Sequence, residues 1–134
     1  MKTEPLFITN NDEVCAYCKG RVECKFLAGG TYLEVLYAAR DYIHQGHKLL
    51  SHPMAGSLKP NQTPFKTIAL DALPAQPQEL YESVRLIENS IEAAKKFFNH
   101  RGLPPWPEKI KRDFMTVDLS FMKGFVDNFS NRQA

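Results

Sequence analysis

The sequence predicts a small α/β fold, and two observations carry that prediction. Short apolar runs rich in β-branched residues alternate with longer segments whose apolar residues recur at helical spacing, the pattern of a sheet covered by helices. The chain has 134 residues, enough for one hydrophobic core. We therefore expect a single domain over residues 1–134, built on a mostly parallel or mixed sheet of about four strands. Three helices should flank the sheet, with residues 104–134 as a C-terminal helical extension.

Four segments are predicted as strands because they are short, apolar and bounded by turn residues. They are Leu6–Thr9, Val22–Leu27, a short stretch around Leu49 and Leu50, and Phe65–Leu70. Asn10 and Asn11 follow the first of them, and their side chains favour turns by bonding nearby backbone groups. We expect them to begin a polar loop.

Three helices are predicted from their periodicity and end signals. Thr31 and Glu34 form a capping-box pair, so a helix should begin at Tyr32 and end near Gly46. Apolar residues spaced by three and four indicate a long amphipathic helix over about residues 78–100. Asp118 is predicted to cap a last helix with its own apolar stripe.

The composition excludes several broad classes of function. Seventeen basic and fifteen acidic residues give a net charge of +2, too little to attract nucleic acid or an anionic membrane over a wide surface. No apolar run is long enough to cross a bilayer, and the first residues lack the pattern of a signal peptide. The sequence therefore predicts a cytoplasmic protein without nucleic-acid or membrane partners.

The three cysteines are predicted to be free thiols. Cys15 and Cys18 form a CxxC pair, and Cys24 follows six residues later. A redox motif would need a thioredoxin-like βαβ context, and a zinc site would need a second ligand pair. Neither pattern is present in the sequence, so we expect neither a metal site nor a cofactor.

The proline-rich loop over residues 52–64 contains the residues most suited to chemistry. Gly56 and Ser57 can present backbone N–H groups to an anion, and Lys59 can add positive charge. In open α/β sheets, loops after parallel strands meet at one edge, so the Asn10-Asn11 turn should lie near this loop. We expect a site for a small anionic metabolite lined by Asn10, Asn11, His47, Ser51, His52, Gly56, Ser57 and Lys59.

The sequence leaves three alternatives to this binding site open. The loop could be purely structural, with prolines that fix its path. It could instead serve a small enzyme in which His52 is the general base and Ser57 or Lys59 stabilises negative charge. A third alternative is an interaction module, in which the C-terminal helices with Trp106, Phe121 and Phe125 bind a protein partner or a second copy of the chain. The sequence decides neither catalysis nor dimerisation.

One long motif resembles a known family. It runs from His44 to Lys66, HQGHKLLSHPMAGSLKPNQTPFK, and is accompanied by Thr9-Asn10-Asn11 and by the helix start at Tyr32–Leu36. Over roughly the first half of the chain these segments resemble the GrdX family, small bacterial proteins encoded with components of glycine, sarcosine and betaine reductases. The resemblance implies an accessory role beside a cytoplasmic selenoprotein reductase of amino-acid fermentation, with a protein partner in that system.

Overall fold

The computed structural model describes residues 3–56 and 58–133, with side-chain surroundings given as far as residue 130. These residues form three strands and four helices. Their order is β1 (Pro5–Thr9), α1 (Asp12–Cys18), β2 (Glu23–Phe26), α2 (Tyr32–His44), β3 (Thr67–Asp71), α3 (Pro77–His100) and α4 (Glu108–Gln133). The prediction of an α/β fold is confirmed.

The sheet is mixed, as predicted, with the strand order β2-β1-β3. β1 pairs with β2 in parallel and with β3 in antiparallel. The expected fourth strand is wrong, because Leu49 makes a single bridge to Leu70. The ladder ends there because the Ser51 hydroxyl, instead of a backbone carbonyl, accepts the hydrogen bond from Ala69 N at 3.0 Å.

The strand boundaries differ from the predictions by one or two residues. β2 lacks the predicted end residues Val22 and Leu27, and β3 begins at Thr67 where Phe65 was expected. The late start of β3 has a local cause, since Lys66 N donates its hydrogen bond to the Asn10 side chain at 2.8 Å. Side chain to backbone bonds of this kind compete with regular strand pairing.

Helix α1 occupies a segment that was expected to be a polar loop. Asn11 is its N-cap, and the Asn11 side chain accepts a hydrogen bond from Glu13 N at 3.0 Å. Asp12 and Glu13 add negative charge to the first turn, where it is favourable. An asparagine followed by two acidic residues is a helix start signal that the turn interpretation overlooked.

Helices α2 and α3 agree with the sequence. Thr31 Oγ1 accepts from Glu34 N at 3.1 Å and Glu34 Oε1 accepts from Thr31 N at 2.9 Å, which completes the predicted capping box. Gly46 follows the C-cap of α2 with φ at +109°, a conformation that favours glycine. α3 begins at Pro77 and ends at His100, within one residue of the prediction.

Helix α4 begins at Glu108, ten residues before the predicted cap at Asp118. Asp118 therefore lies inside the helix, and the expectation that it caps the N-terminus is wrong. The first turns carry a high density of charged residues (EKIKRD), which hides the apolar stripe there. Among the described residues, no helix is both long and apolar enough to span a membrane.

The sheet is covered on both faces. On one face α2 and α3 pack against Ile8, Ile68 and Leu70. On the other face residues of α1 and α4 pack against Phe7 and Ala69. Strand β1 is buried along its whole length, and its carboxyl end lies where the loop between α2 and β3 meets α4.

Candidate functional site

The loop over residues 52–64 follows an irregular path that is fixed at several points. Asn61 Nδ2 donates to Phe97 O and Arg101 O, each at 3.2 Å, and so satisfies carbonyl groups at the end of α3. Trp106 Nε1 donates to Gln62 O at 2.9 Å. These bonds tie the loop to α3 and to the segment before α4, so its surface has a defined shape.

Asn10 is the central anchor of the loop. Its side-chain nitrogen donates to Gly30 O at 2.9 Å and to Pro64 O at 2.8 Å, while its oxygen accepts from Lys66 N. The residue is buried, at 6% exposure. Both amide hydrogens and the carbonyl are therefore used within the protein, which makes Asn10 a residue that joins three segments.

Asn11 and Ser51, two further residues of the predicted site, also have internal partners. The buried Asn11 donates from Nδ2 to Met115 O and to Asp118 Oδ2, both at 3.0 Å. Ser51 is buried as well, and its hydroxyl accepts from Ala69 N at the edge of the sheet. These contacts position α4 and β3 relative to the loop.

His47, His52 and Lys59 have separate surroundings. His47 packs its ring 6.0 Å from the ring of Tyr42, and its buried Nδ1 has no hydrogen-bond partner among the described residues. The exposed His52 accepts from Met54 N through Nδ1. Lys59 is exposed, with Nζ 5.8 Å from the centre of the Phe97 ring.

A small cleft opens between the loop, the start of α2 and the middle of α4. Its volume is about 50 Å³, and the exposed side chains of Val117 and Phe121 stand at its walls. Gly56 also lines it, with φ at +117° and open space where a side chain would project. The full lining consists of Tyr32, Ala55, Gly56, Leu58, Thr63, Phe65, Lys66, Val117, Asp118 and Phe121.

Lys66 brings a buried positive charge to this cleft. The residue is 5% exposed, and its Nζ donates to Ala55 O at 3.0 Å. The ammonium also lies 5.6 Å from the centre of the Tyr32 ring. Burial lowers the pKa of Lys66 to about 8, against an opposing effect of Asp118. The side chain is therefore mostly charged at neutral pH and close to its titration range.

Asp118 brings a negative charge to the same cleft from α4. Its Oδ2 accepts from Thr67 Oγ1 at 2.8 Å in addition to Asn11. Burial raises the pKa of Asp118, while the hydrogen bonds from Asn11 and Thr67 and the charge of Lys66 oppose that rise. The lysine ammonium and this carboxylate do not come within the 4.0 Å of a direct ion pair.

Two threonines connect Asp118 to the sheet. Thr9 Oγ1 and Thr67 Oγ1 are 2.7 Å apart, and both residues are buried. Because the single hydroxyl hydrogen of Thr67 is donated to Asp118, the hydrogen between the two threonines belongs to Thr9. The carboxylate is thus held directly by side chains from β3 and the α1 cap, and Thr9 of β1 contacts it only through Thr67.

The structure brings together a different set of residues from the predicted one. Of the eight predicted site residues, Gly56 lines the cleft and Ser57 lies outside the described residues. Lys66 and Asp118 were missed as site residues. Lys66 had a usable signal, since a lysine directly before an apolar strand is a poor fit to a buried segment. Asp118 had none, because only the packing of α4 carries it to the loop.

The cysteines lie away from the cleft, on α1 and β2. All three are free, and Cys18 is buried in the apolar cluster against which Cys24 packs. Burial, together with the nearby Cys24, raises the pKa of the Cys15 thiol. No group of three His, Cys, Asp or Glu side chains in the described part of the chain is arranged to hold a metal ion.

The C-terminal aromatic residues are divided between the interior and the surface. Trp106 packs its ring 5.5 Å from that of Phe114. Phe125 is half-buried beside the apolar cluster of α1 and α4, whereas Phe121 is 42% exposed. Phe121 lines the cleft, and its ring centre lies 6.0 Å from that of Phe125.

The described residues define a three-layer α/β protein with a polar cleft at the carboxyl end of its central strand. The chain belongs to the GrdX-like protein family, whose sequence model matches residues 6–127. The match extends well beyond the first half of the chain, where the His44–Lys66 motif lies, and it includes Lys66 and Asp118. Comparisons with curated proteins and with solved structures gave no match.

Proposed function

We propose that this chain is an accessory protein of a glycine-reductase-like amino-acid reductase system and that it binds a small anionic ligand in the Lys66 cleft. Membership of the GrdX-like family supports the accessory role. The ligand site is supported by the loop, which holds Gly56 and the carbonyl of Ala55 beside a buried ammonium.

The single observation that carries the ligand site is the incomplete hydrogen bonding of Lys66. An ammonium group has three N–H donors. Among the described residues, Lys66 Nζ has one hydrogen-bond acceptor, Ala55 O. A buried charge is costly unless its donors are satisfied, and an anion in the cleft would supply the missing acceptors.

The surroundings of Lys66 favour a small ligand. The cleft volume of about 50 Å³ is suited to a carboxylate or phosphate group rather than to a nucleotide. Gly56 leaves its backbone open to close approach, since nothing lies within 4 Å of the position that a side chain would occupy. In this proposal Asn10, Asn11 and Ser51 hold the loop in shape, and Lys66 replaces Lys59 as the charged contact.

Calorimetry with acetate, propionate and inorganic phosphate tests the ligand site. Lys66→Met should weaken binding roughly tenfold or more, the loss expected for one charge-assisted hydrogen bond. Lys59→Met is the matched control, because it makes the same change at an exposed lysine of the loop. Equal effects of the two substitutions, or no binding to the parent protein, would contradict the proposed site.

The accessory role requires a separate measurement. Purified components of a glycine-reductase-like complex, immobilised one at a time, should retain the full chain from solution, and surface plasmon resonance would give the affinity. Phe121→Ser, an exposed change at the cleft rim, tests whether α4 takes part. Retention of the chain by none of the components would refute the accessory role without affecting the ligand site.

A further inference from the structure

We infer that the preferred ligand of this cleft is a small zwitterion of the α-amino acid type, with its carboxylate on Lys66 and its ammonium on Asp118. This inference rests on the proposed ligand site and adds an ammonium group to the carboxylate proposed there. It is carried by two opposite charges that line one small cleft without contacting each other.

The positive and negative charges in the cleft are separated from each other. Lys66 and Asp118 both line the cleft, and each affects the pKa of the other. Oppositely charged groups withdrawn from water usually pair directly, since each otherwise retains part of its desolvation cost. Here the nitrogen and the carboxylate oxygens stay beyond 4.0 Å, although both belong to the same site. A ligand with both charges can bridge this gap.

The carboxylate of Asp118 can accept more hydrogen bonds than it receives within the described residues. The two donors from Asn11 and Thr67 both reach Oδ2. Oδ1 has no hydrogen-bond partner among the described residues, yet it is not among their fully buried unpaired atoms. Because Asp118 lines the cleft, Oδ1 can accept from an ammonium group placed there.

The total charge of the cleft with a ligand bound depends on the type of ligand. A simple carboxylate on Lys66 would lie near the carboxylate of Asp118, and like charges within one low-dielectric site repel. A simple amine on Asp118 would face the same difficulty with Lys66. A zwitterion satisfies both groups and leaves the site neutral. It should thus bind more tightly than either half alone.

The apolar part of the lining sets the size of the ligand side chain. Tyr32, Leu58, Phe65 and Val117 surround the polar pair. The cleft is narrow, at about 50 Å³, so an α-amino acid with a small side chain suits it better than one with a large side chain. Affinity should decrease from alanine to leucine, because the larger side chain would displace the loop or α4.

Three ligands of nearly equal size show which charged groups the parent protein requires for binding. Alanine has both charged groups, propionate has the carboxylate alone and ethylamine has the amine alone. We expect calorimetry to show alanine binding at least about tenfold more tightly than either of the others. If propionate equals or exceeds alanine, the zwitterion inference is wrong while the anion site stands.

Two substitutions test the roles of Asp118 and Lys66 separately. Asp118→Asn should weaken alanine binding about tenfold and strengthen propionate binding, because the repelling charge is removed. Lys66→Met should weaken the binding of both alanine and propionate. If Asp118→Asn weakened the binding of both ligands, the assigned role of Asp118 would be wrong. Thermal melting of each variant, followed by circular dichroism, shows whether the fold is retained. Failure of all three ligands to bind the parent protein would refute the anion site itself.

Discussion

Asn10 and Lys66 are both buried polar residues and are joined by a 2.8 Å hydrogen bond, yet their surroundings differ in one respect. The Asn10 amide has acceptors for both of its hydrogens and a donor for its oxygen, all within the protein. The Lys66 ammonium has one described acceptor and faces a cleft. A complete set of partners indicates a structural role, while the incomplete set beside open space is the feature on which the proposed ligand site rests.

The largest effect on stability should come from Asn10→Ala. The substitution leaves Gly30 O, Pro64 O and Lys66 N without their partner in a buried setting, at a cost of about 3 kcal/mol in the free energy of unfolding. Urea denaturation followed by circular dichroism measures it. Asn128→Ala on the exposed side of α4 is the matched control and should change stability by less than about 0.5 kcal/mol.

The second largest effect should be a pH dependence of the free energy of unfolding, caused by Lys66. Burial lowers its pKa from 10.5 to about 8, so between these values the unfolded chain holds a proton that the folded chain has lost. Stability due to this group therefore rises with pH across that window. From pH 7 to pH 9.5, the parent protein should gain about 1 to 3 kcal/mol relative to Lys66→Met.

The control for this pH dependence is Lys59→Met, an exposed lysine in the same loop. Its stability should follow that of the parent protein across the whole window. A constant difference between the parent protein and Lys66→Met would show that Lys66 has an ordinary pKa and would weaken the contrast with Asn10.

A smaller effect should follow from Thr67→Val, which removes a hydrogen bond to Asp118 and keeps the shape of the side chain. We expect a loss of about 1 kcal/mol and a further rise in the pKa of Asp118, because hydrogen bonds to a carboxylate favour its charged form. NMR titration of the carboxyl carbon measures the pKa. Thr116→Val, an exposed change on α4, should leave the pKa of Asp118 unaltered.

The smallest effects are expected at the exposed loop residues. His52→Ala and Lys59→Ala should each change stability by less than about 0.5 kcal/mol. Because neither residue lines the cleft, the dissociation constant for propionate or alanine should stay within about twofold of the parent value. A tenfold loss of affinity in His52→Ala would return the catalytic interpretation of that histidine to consideration.

The sequence by itself determined the elements whose signals are local. The capping box of α2, its glycine stop and the amphipathic span of α3 were all readable, because helix ends and apolar faces depend on residues a few positions apart. The irregular path of the loop over residues 52–64 was also readable. Its prolines and glycine exclude regular structure in any surroundings.

Only the tertiary structure decided which polar residues meet. Asn10 and Asn11 have side chains suited to a ligand, but Gly30, Pro64 and α4 occupy them. Lys66 and Asp118 are 52 positions apart by number, and they share a cleft because α4 packs across the end of β1. The unused hydrogen-bonding capacity of a side chain depends on every neighbour, and that is a property of the fold, which no short segment of sequence contains.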